Sequence, residues 1–246
     1  MNKIMQLYLD NKLLKKQPVN LVRNASEATL YIYDVISADW GVSAAMVIEA
    51  IAQAADAPIL NIRINSPGGD VFEARAIIEA IKRFEGKTVA HIDSLAASAA
   101  TGIACAADEV LMAEGAFYMI HNASGMAWGD KTALRETADL LEKVEGSIVT
   151  DYTSKTGKDA AEVVAWMEAE TWFSASEAIA NGFVNALSST AKAKNTWNLA
   201  AYGKTPTALL EPEPHEEPTS PIEQPASAGF LMSVANTNRM RLTEAL

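Results

Sequence analysis

Ser98 stands in a run of small residues, SLAASAATGIAC over positions 94–105, and His121 closes an apolar stretch, AFYMI, further along the chain. A serine hydroxyl is a weak nucleophile until a base removes its proton, and imidazole titrates close to neutrality, so a paired Ser98 and His121 would be equipped for acyl transfer. Such chemistry also needs donors for the oxyanion that forms when a carbonyl is attacked. The turn Asn65-Ser66-Pro67-Gly68-Gly69-Asp70 can supply one, because its two glycines tolerate positive φ and let the backbone approach a ligand, leaving the Gly69 N–H turned outward. The N–H of Ala99, in the N-terminal part of the helix that contains Ser98, can supply the other. Ala96, Ala97, Ala99, Ala100 and Gly102 would leave room for a substrate backbone beside Ser98. The same alanines equally suit a closely packed helix that merely tolerates a serine, and these twelve residues alone leave both readings open.

Other polar residues have plainer roles. Ser94 reads as the N-cap of the small-residue helix, Cys105 as a small buried hydrophobe, His91 as a structural residue inside the strand VAHID, and His215 as part of a proline-rich segment.

The elements that must hold these residues alternate. ATLYIYDV (28–35), PILNIRIN (58–65) and KTVAHID (87–93) read as strands. SAAMVIEAIAQAA (43–55) reads as a helix capped by Ser43, with Met46, Ile48 and Ile51 at helical spacing, and FEARAIIEAIKRFEG (72–86) as a helix ending at Gly86. EVLMA and AFYMIH add two short strands. This order predicts an α/β fold with repeated β-α units on a mostly parallel sheet. In such a sheet ligands sit beyond the carboxyl ends of the strands, so the glycine turn and the Ser98 segment flank one crevice. A long helical pattern follows over 130–157, where Leu134, Ala138, Leu141, Val144 and Ile148 form an apolar stripe.

Composition narrows the function classes. A formal net charge of −11 argues against nucleic acid as a partner, since phosphate binding needs a basic footprint. One cysteine and three histidines leave no zinc-type cluster and no internal disulfide, which suits a reducing cytoplasm. No long apolar run predicts a membrane span or an export signal, and no G-x-x-x-x-G-K-[ST] nucleotide loop is present. Six of the nine prolines fall within 206–225 among glutamates. The chain therefore divides into an N-terminal segment (1–27), a main domain (28–203), a flexible Pro/Glu-rich linker (204–228) and a short C-terminal docking element (229–246).

Four stretches, NSPGGDVFEA, SLAASAATGIACAADEVLM, AFYMIHNASG and TWFSASEAIANGFVNAL, resemble in their order and spacing the ClpP-like serine proteases, and among them the ClpP-related head maturation proteases of tailed phages. The resemblance implies a ClpP/crotonase-type fold with a protruding handle helix at 130–157, Ser98 as nucleophile, His121 as base, and Gly69 and Ala99 as oxyanion donors. Where that family places an aspartate ahead of its F-[LM]-[ST]-A-x-E-A segment, this chain has Glu170, which is thereby implied to orient the imidazole; Glu168 is the nearby alternative. The family's G-x-A-A-S-M-G pattern is altered here, with Ser94, Ala99 and Ala100 replacing its first glycine, methionine and second glycine. By the same resemblance the chain is a serine endopeptidase without cofactor or metal; its handle helix, which joins two rings in that family, implies a homo-oligomer, with a ring as the favoured state. Its substrates would be capsid or scaffold precursors in the host cytoplasm or inside an assembling prohead, with an ATP-dependent unfoldase as a less favoured partner. A crotonase-like acyl-CoA enzyme, an inactive scaffold module and a Ser-Lys peptidase are the competing readings.

Overall fold

Three side-chain caps set the starts of the main helices. Ser43 accepts the Met46 N–H ahead of α2 (Ala44–Gln53), Asp70 accepts those of Phe72 and Glu73 ahead of α3 (Val71–Lys82), and Asp130 accepts those of Thr132 and Ala133 ahead of α5 (Lys131–Thr156). Gly157 ends α5 in the left-handed conformation, with φ 70°. The computed structural model describes residues 3–12, 19–24, 26–189 and 196–210, all within one unit, Met1–Pro214.

The main sheet has the strand order β1 (Asn20–Arg23), β2 (Glu27–Ile32), β3 (Ile59–Ser66), β4 (Lys87–Ala97), β5 (Glu109–Met112), β8 (Ala186–Leu187). Every neighbour pair from β2 to β8 is parallel, and β1 is an antiparallel edge. Burial alternates strictly along β2 and β3. One face presents Leu30, Ile32, Leu60, Ile62, Ile64 and Ile92 to a core shared with Val47 and Ile51 of α2 and Ile77 and Ile81 of α3. The other face carries polar side chains. Arg63 is paired with Asp93, which also accepts the Tyr33 hydroxyl, and His91 meets the Asn61 amide at 3.0 Å.

β4 is the hinge of the architecture. Its first half pairs with β3 and β5; its second half, Leu95–Ala97, pairs with β6 (Phe117–Ile120), which turns antiparallel onto β7 (Thr171–Ser174). The strand therefore runs to Ala97, past its expected end at 93, and Ser94 lies buried within it instead of capping a helix. Pairing on both edges and burial of Leu95, Ala96 and Ala97 override the helix preference of these small residues. Helix α4 is correspondingly short, Ala99–Cys105, and packs so closely on α3 that a Cβ on Gly102 would sit 3.2 Å from the Ile78 side chain. Two other expectations shift. Helix α3 ends with Arg83 as its C-cap, and Gly86 answers a different need, a backbone approach that would put a Cβ 2.6 Å from the Pro58 carbonyl oxygen. In α2, Met46 and Ile48 face outward while Val47 and Ile51 are buried.

A second apolar cluster forms at the carboxyl end of the sheet. Leu7 of α1 (Lys3–Asn11) packs there with Val35, Leu95, Met119, Trp197, Leu199, Tyr202 and Leu209. Burial of Leu7 alone contributes roughly 1.5–3 kcal/mol to the docking of α1. Asn11 sews the two terminal segments together, its amide donating to the Asn198 carbonyl at 3.0 Å and its carbonyl accepting the Asn198 N–H at 2.7 Å. Packing thus continues through 204–210, the first residues assigned to the linker, with Leu209 in a 3-10 turn, Thr207–Leu209. The remainder of that linker and the docking element at 229–246 lie outside the described residues.

Candidate active site

Ser98 occupies the single-residue joint between β4 and α4, with φ 54° and ψ −126°. A non-glycine residue in so sparsely populated a conformation costs on the order of 1–3 kcal/mol, and it persists only when its surroundings hold it. They do so from both sides: the Ser98 N–H donates to the Met119 carbonyl at 2.8 Å, and its own carbonyl accepts the Thr101 N–H at 2.9 Å and the Thr101 hydroxyl. Thr101 is in turn fixed by the buried Tyr152 hydroxyl of α5 at 2.6 Å. The sharp turn presents the Ser98 hydroxyl at the crevice, and His121, the residue after β6, meets it with Nε2 2.8 Å from Oγ. The two residues that sequence pattern singled out are hydrogen-bonded.

Burial holds His121 neutral. Desolvation, helped by the charge of Lys3 and opposed by that of Glu170, lowers its pKa to about 4. A neutral ring accepting the serine proton at Nε2 carries its own proton on Nδ1.

The glycine turn lies opposite. Gly68 has φ 86° and Gly69 φ 151°, and the turn is clamped to the β2–α2 connection by Ile36 N–H to the Gly68 carbonyl at 2.9 Å and Asp70 N–H to the Ile36 carbonyl at 2.8 Å. Neither the Gly69 nor the Ala99 N–H donates to any described residue, and both residues border the same cavity as Ser98 and His121. That cavity, about 510 Å³, continues over apolar side chains of α3 and α5, including Ile78, Leu141, Val144 and Ile148. The ion pair of Arg75 and Asp151 joins the two helices along its wall. The arrangement gathers a hydroxyl, an imidazole hydrogen-bonded to it, two unspent N–H donors and an apolar trough within one recess, a set of groups with which attack on a carbonyl could be carried out.

Glu170 has partners other than the imidazole. Its carboxylate accepts the backbone N–H groups of Gly203 at 3.2 Å and Lys204 at 2.6 Å, and no hydrogen bond joins it to His121 among the described residues. Its charge reaches the ring through space. Ser98 and Glu170 are the two non-glycine residues with positive φ among the described residues, Glu170 at 50°. Glu168, at the end of α6 (Ala160–Glu168), is exposed.

The sequence profile of the Clp protease family matches residues 19–191. The chain belongs to the Clp protease family. It is 29% identical over 126 residues to an ATP-dependent Clp protease proteolytic subunit from Streptococcus gordonii, an alignment that takes in 50% of this chain and 64% of that protein. It is 28% identical over 135 residues to the corresponding subunit from Streptococcus suis, covering 53% of this chain and 69% of that one. The chain thus spans less than two thirds of the length of the first of these relatives. Among solved structures, a ClpP1 point mutant from Listeria monocytogenes superposes with a TM-score of 0.60 at 23% identity, over 66% of this chain and 91% of that one, which establishes the shared α/β fold.

Two members of the site fall outside the matched region. Tyr202 is buried with its ring edge-on to His121, centroids 5.4 Å apart, and the Lys3 ammonium lies 4.8 Å from the Tyr202 ring centre. The available signal was faint: Trp197 and Tyr202 are aromatic residues in a stretch that adjoins a proline-rich segment. The remaining candidates keep structural roles. His91 bonds Asn61 on the sheet face, and the Cys105 thiol, beside the Tyr118 hydroxyl at 3.1 Å, is pushed up to about 11 by burial. No group of three metal-ligating side chains occurs among the described residues, and no helix there is long and apolar enough to cross a membrane.

Proposed function

We propose that this chain is a serine endopeptidase, and the observation that carries the reading is the 2.8 Å contact between His121 Nε2 and Ser98 Oγ at a strained strand-to-helix joint. In the acylation step His121 Nε2 takes the hydroxyl proton as Oγ bonds to the substrate carbonyl carbon. The carbonyl oxygen becomes an oxyanion facing the Gly69 and Ala99 N–H groups. Collapse breaks the C–N bond, and the proton on Nε2 passes to the leaving amine. Water, activated by the same ring, then releases the acid and restores Ser98. His121 carries each proton between the Ser98 hydroxyl, the leaving amine and the water, and the steps as written call on no bound metal or nucleotide.

Supporting this over an acyl-CoA enzyme is the serine itself, since a thioester-binding turn of the Gly68-Gly69 type has no need of a paired hydroxyl and imidazole. The His121 contact likewise favours a histidine base over a lysine one.

The oligomer and the substrates belong to the same proposal. Helix α5 runs 26 residues with Tyr152 its one buried residue, and Leu134 and Leu140 are about half exposed, which suits a handle that pairs with further copies of the chain, a ring being the favoured assembly. Capsid or scaffold precursors as substrates, and action inside a prohead, rest on the likeness of the four motifs to head maturation proteases. Incubation with a fluorophosphonate probe tests the central reading: the expected result is a single adduct on Ser98, and an unlabelled Ser98 in folded protein would refute it. Native mass spectrometry tests the ring. Co-expression with a phage capsid or scaffold precursor, followed by mapping of its cleavage, tests the substrate class.

A further inference from the structure

The site sends out a chain of contacts that an Asp/Glu-to-imidazole bond would not need. The Tyr202 ring packs edge-on to His121, and its hydroxyl donates to the Pro67 carbonyl, the residue that leads into Gly68 and Gly69. One buried side chain therefore touches both the base and the turn bearing an oxyanion donor. Immediately after it, the Gly203 and Lys204 N–H groups are both held by the Glu170 carboxylate. Glu170 adopts φ 50° to reach them, a conformation that costs a non-glycine residue energy and that persists where surrounding contacts hold it. Trp172, two residues on, packs edge-on to the same Tyr202 ring at 5.9 Å, and Trp197 donates to the Asn65 amide oxygen at 2.7 Å at the other end of the glycine turn.

We propose that Tyr202 is a positioning residue of the Ser98 and His121 site, and that Glu170 acts through it by clamping the 203–204 backbone instead of orienting the imidazole directly. The inference rests on the serine hydrolase reading. Tyr202 limits the rotation of the His121 ring and sets the height of the Pro67-Gly68-Gly69 turn, so the base and the oxyanion donor share one support. Both Tyr202 and the backbone that Glu170 holds lie beyond the 19–191 region matching the family, so this support comes from chain outside the matched part.

The full-length protein and four variants decide it. Fluorophosphonate labelling of the wild type at Ser98 is measured first; its absence refutes the hydrolase reading and is distinct from any result below. Tyr202→Phe keeps the ring and removes the hydroxyl's ties to the Pro67 carbonyl and to the Ser98 side chain, and is expected to slow Ser98 labelling and kcat about 10-fold with KM within about 2-fold. Tyr202→Leu removes both and is expected to cost about 100-fold. It should also move the acid limb of the kcat/KM profile upward, because water then reaches a ring otherwise faced by the Ser98 hydroxyl, Lys3 and Glu170. Glu170→Gln retains an oxygen for one of the two N–H groups and should lose no more than about 10-fold, whereas replacing a carboxylate bonded directly to the imidazole by an amide costs about 10⁴-fold. Glu170→Ala and Tyr202→Leu should fail to add in the double variant. Wild-type labelling rates in both Tyr202 variants, a Glu170→Gln loss near 10⁴-fold, or full additivity would each overturn the proposal. Should Tyr202→Leu not fold, the Tyr202→Phe and Glu170→Gln pair still separates the two roles of Glu170.

Discussion

Gly69→Ala tests the oxyanion site at one atom. A Cβ built on Gly69 would lie 2.0 Å from the Ile36 carbonyl oxygen and 2.8 Å from its carbon, far inside contact distance, and φ 151° is itself unfavourable for alanine. Backbone, not a flexible side chain, is the obstacle, so the turn must move away from Ile36. Two hydrogen bonds clamp it there, Ile36 N–H to Gly68 O and Asp70 N–H to Ile36 O. At about 0.5–1.5 kcal/mol each, their loss costs roughly 1–3 kcal/mol of stability. The catalytic cost is separate. Displacing one oxyanion donor lowers kcat about 10²–10³-fold, or roughly 2.7–4 kcal/mol of barrier. The expected variant is thus folded but weakened, labelled slowly at Ser98, with KM for a small peptide little changed. Urea denaturation gives the stability and steady-state hydrolysis gives kcat. A Gly69→Ala protein with wild-type kcat would refute the placement of the oxyanion at this turn, whatever its stability.

Four further outcomes follow from the same geometry. Ser98→Ala should abolish probe labelling and peptide hydrolysis while leaving secondary structure and assembly intact, as circular dichroism and native mass spectrometry would report, because it removes one hydroxyl and no backbone support. The His121 pKa of about 4 lies below the ordinary imidazole value, so its neutral form belongs to the folded state: stability is retained above about pH 6.5 and declines as pH falls toward 4, and His121→Gln should flatten that decline in urea titrations at stepped pH. Lys3→Met removes a charge that holds the ring neutral, so the acid limb of kcat/KM should move to higher pH, and no movement would detach α1 from the site. Cys105, raised to about 11 and beside Tyr118, should resist iodoacetamide at pH 8 in the native protein and react on unfolding.

Residue type and spacing were enough to mark Ser98, His121, Gly69 and Ala99, and to order the β-α units, because those signals are local. A glycine pair after a strand, a capped amphipathic helix and an imidazole at a strand end each state their roles within a few residues. The alternation in PILNIRIN carried the buried face of β3 for the same reason. The start of α4 was not legible: SLAAS has a helix former's composition, and only the arrival of β6 on one edge and β3 on the other keeps β4 extended to Ala97. The buried face of α2 was missed likewise, since Met46 and Val47 are equally apolar and the neighbouring sheet decides which turns inward. Tyr202 and Lys3 were invisible as site residues because nothing in their own neighbourhoods carries chemistry; Leu7, Trp197 and Leu209 bring them to His121 from opposite ends of the chain. Sequence by itself singled out the candidate groups, a hydroxyl, an imidazole and two backbone N–H donors, since those are written in side-chain chemistry and short-range backbone preference. Tertiary structure decided what holds them, because the 2.8 Å approach of His121 to Ser98 and the clamp of Glu170 on Gly203 and Lys204 depend on burial and on contacts between segments that no local pattern encodes.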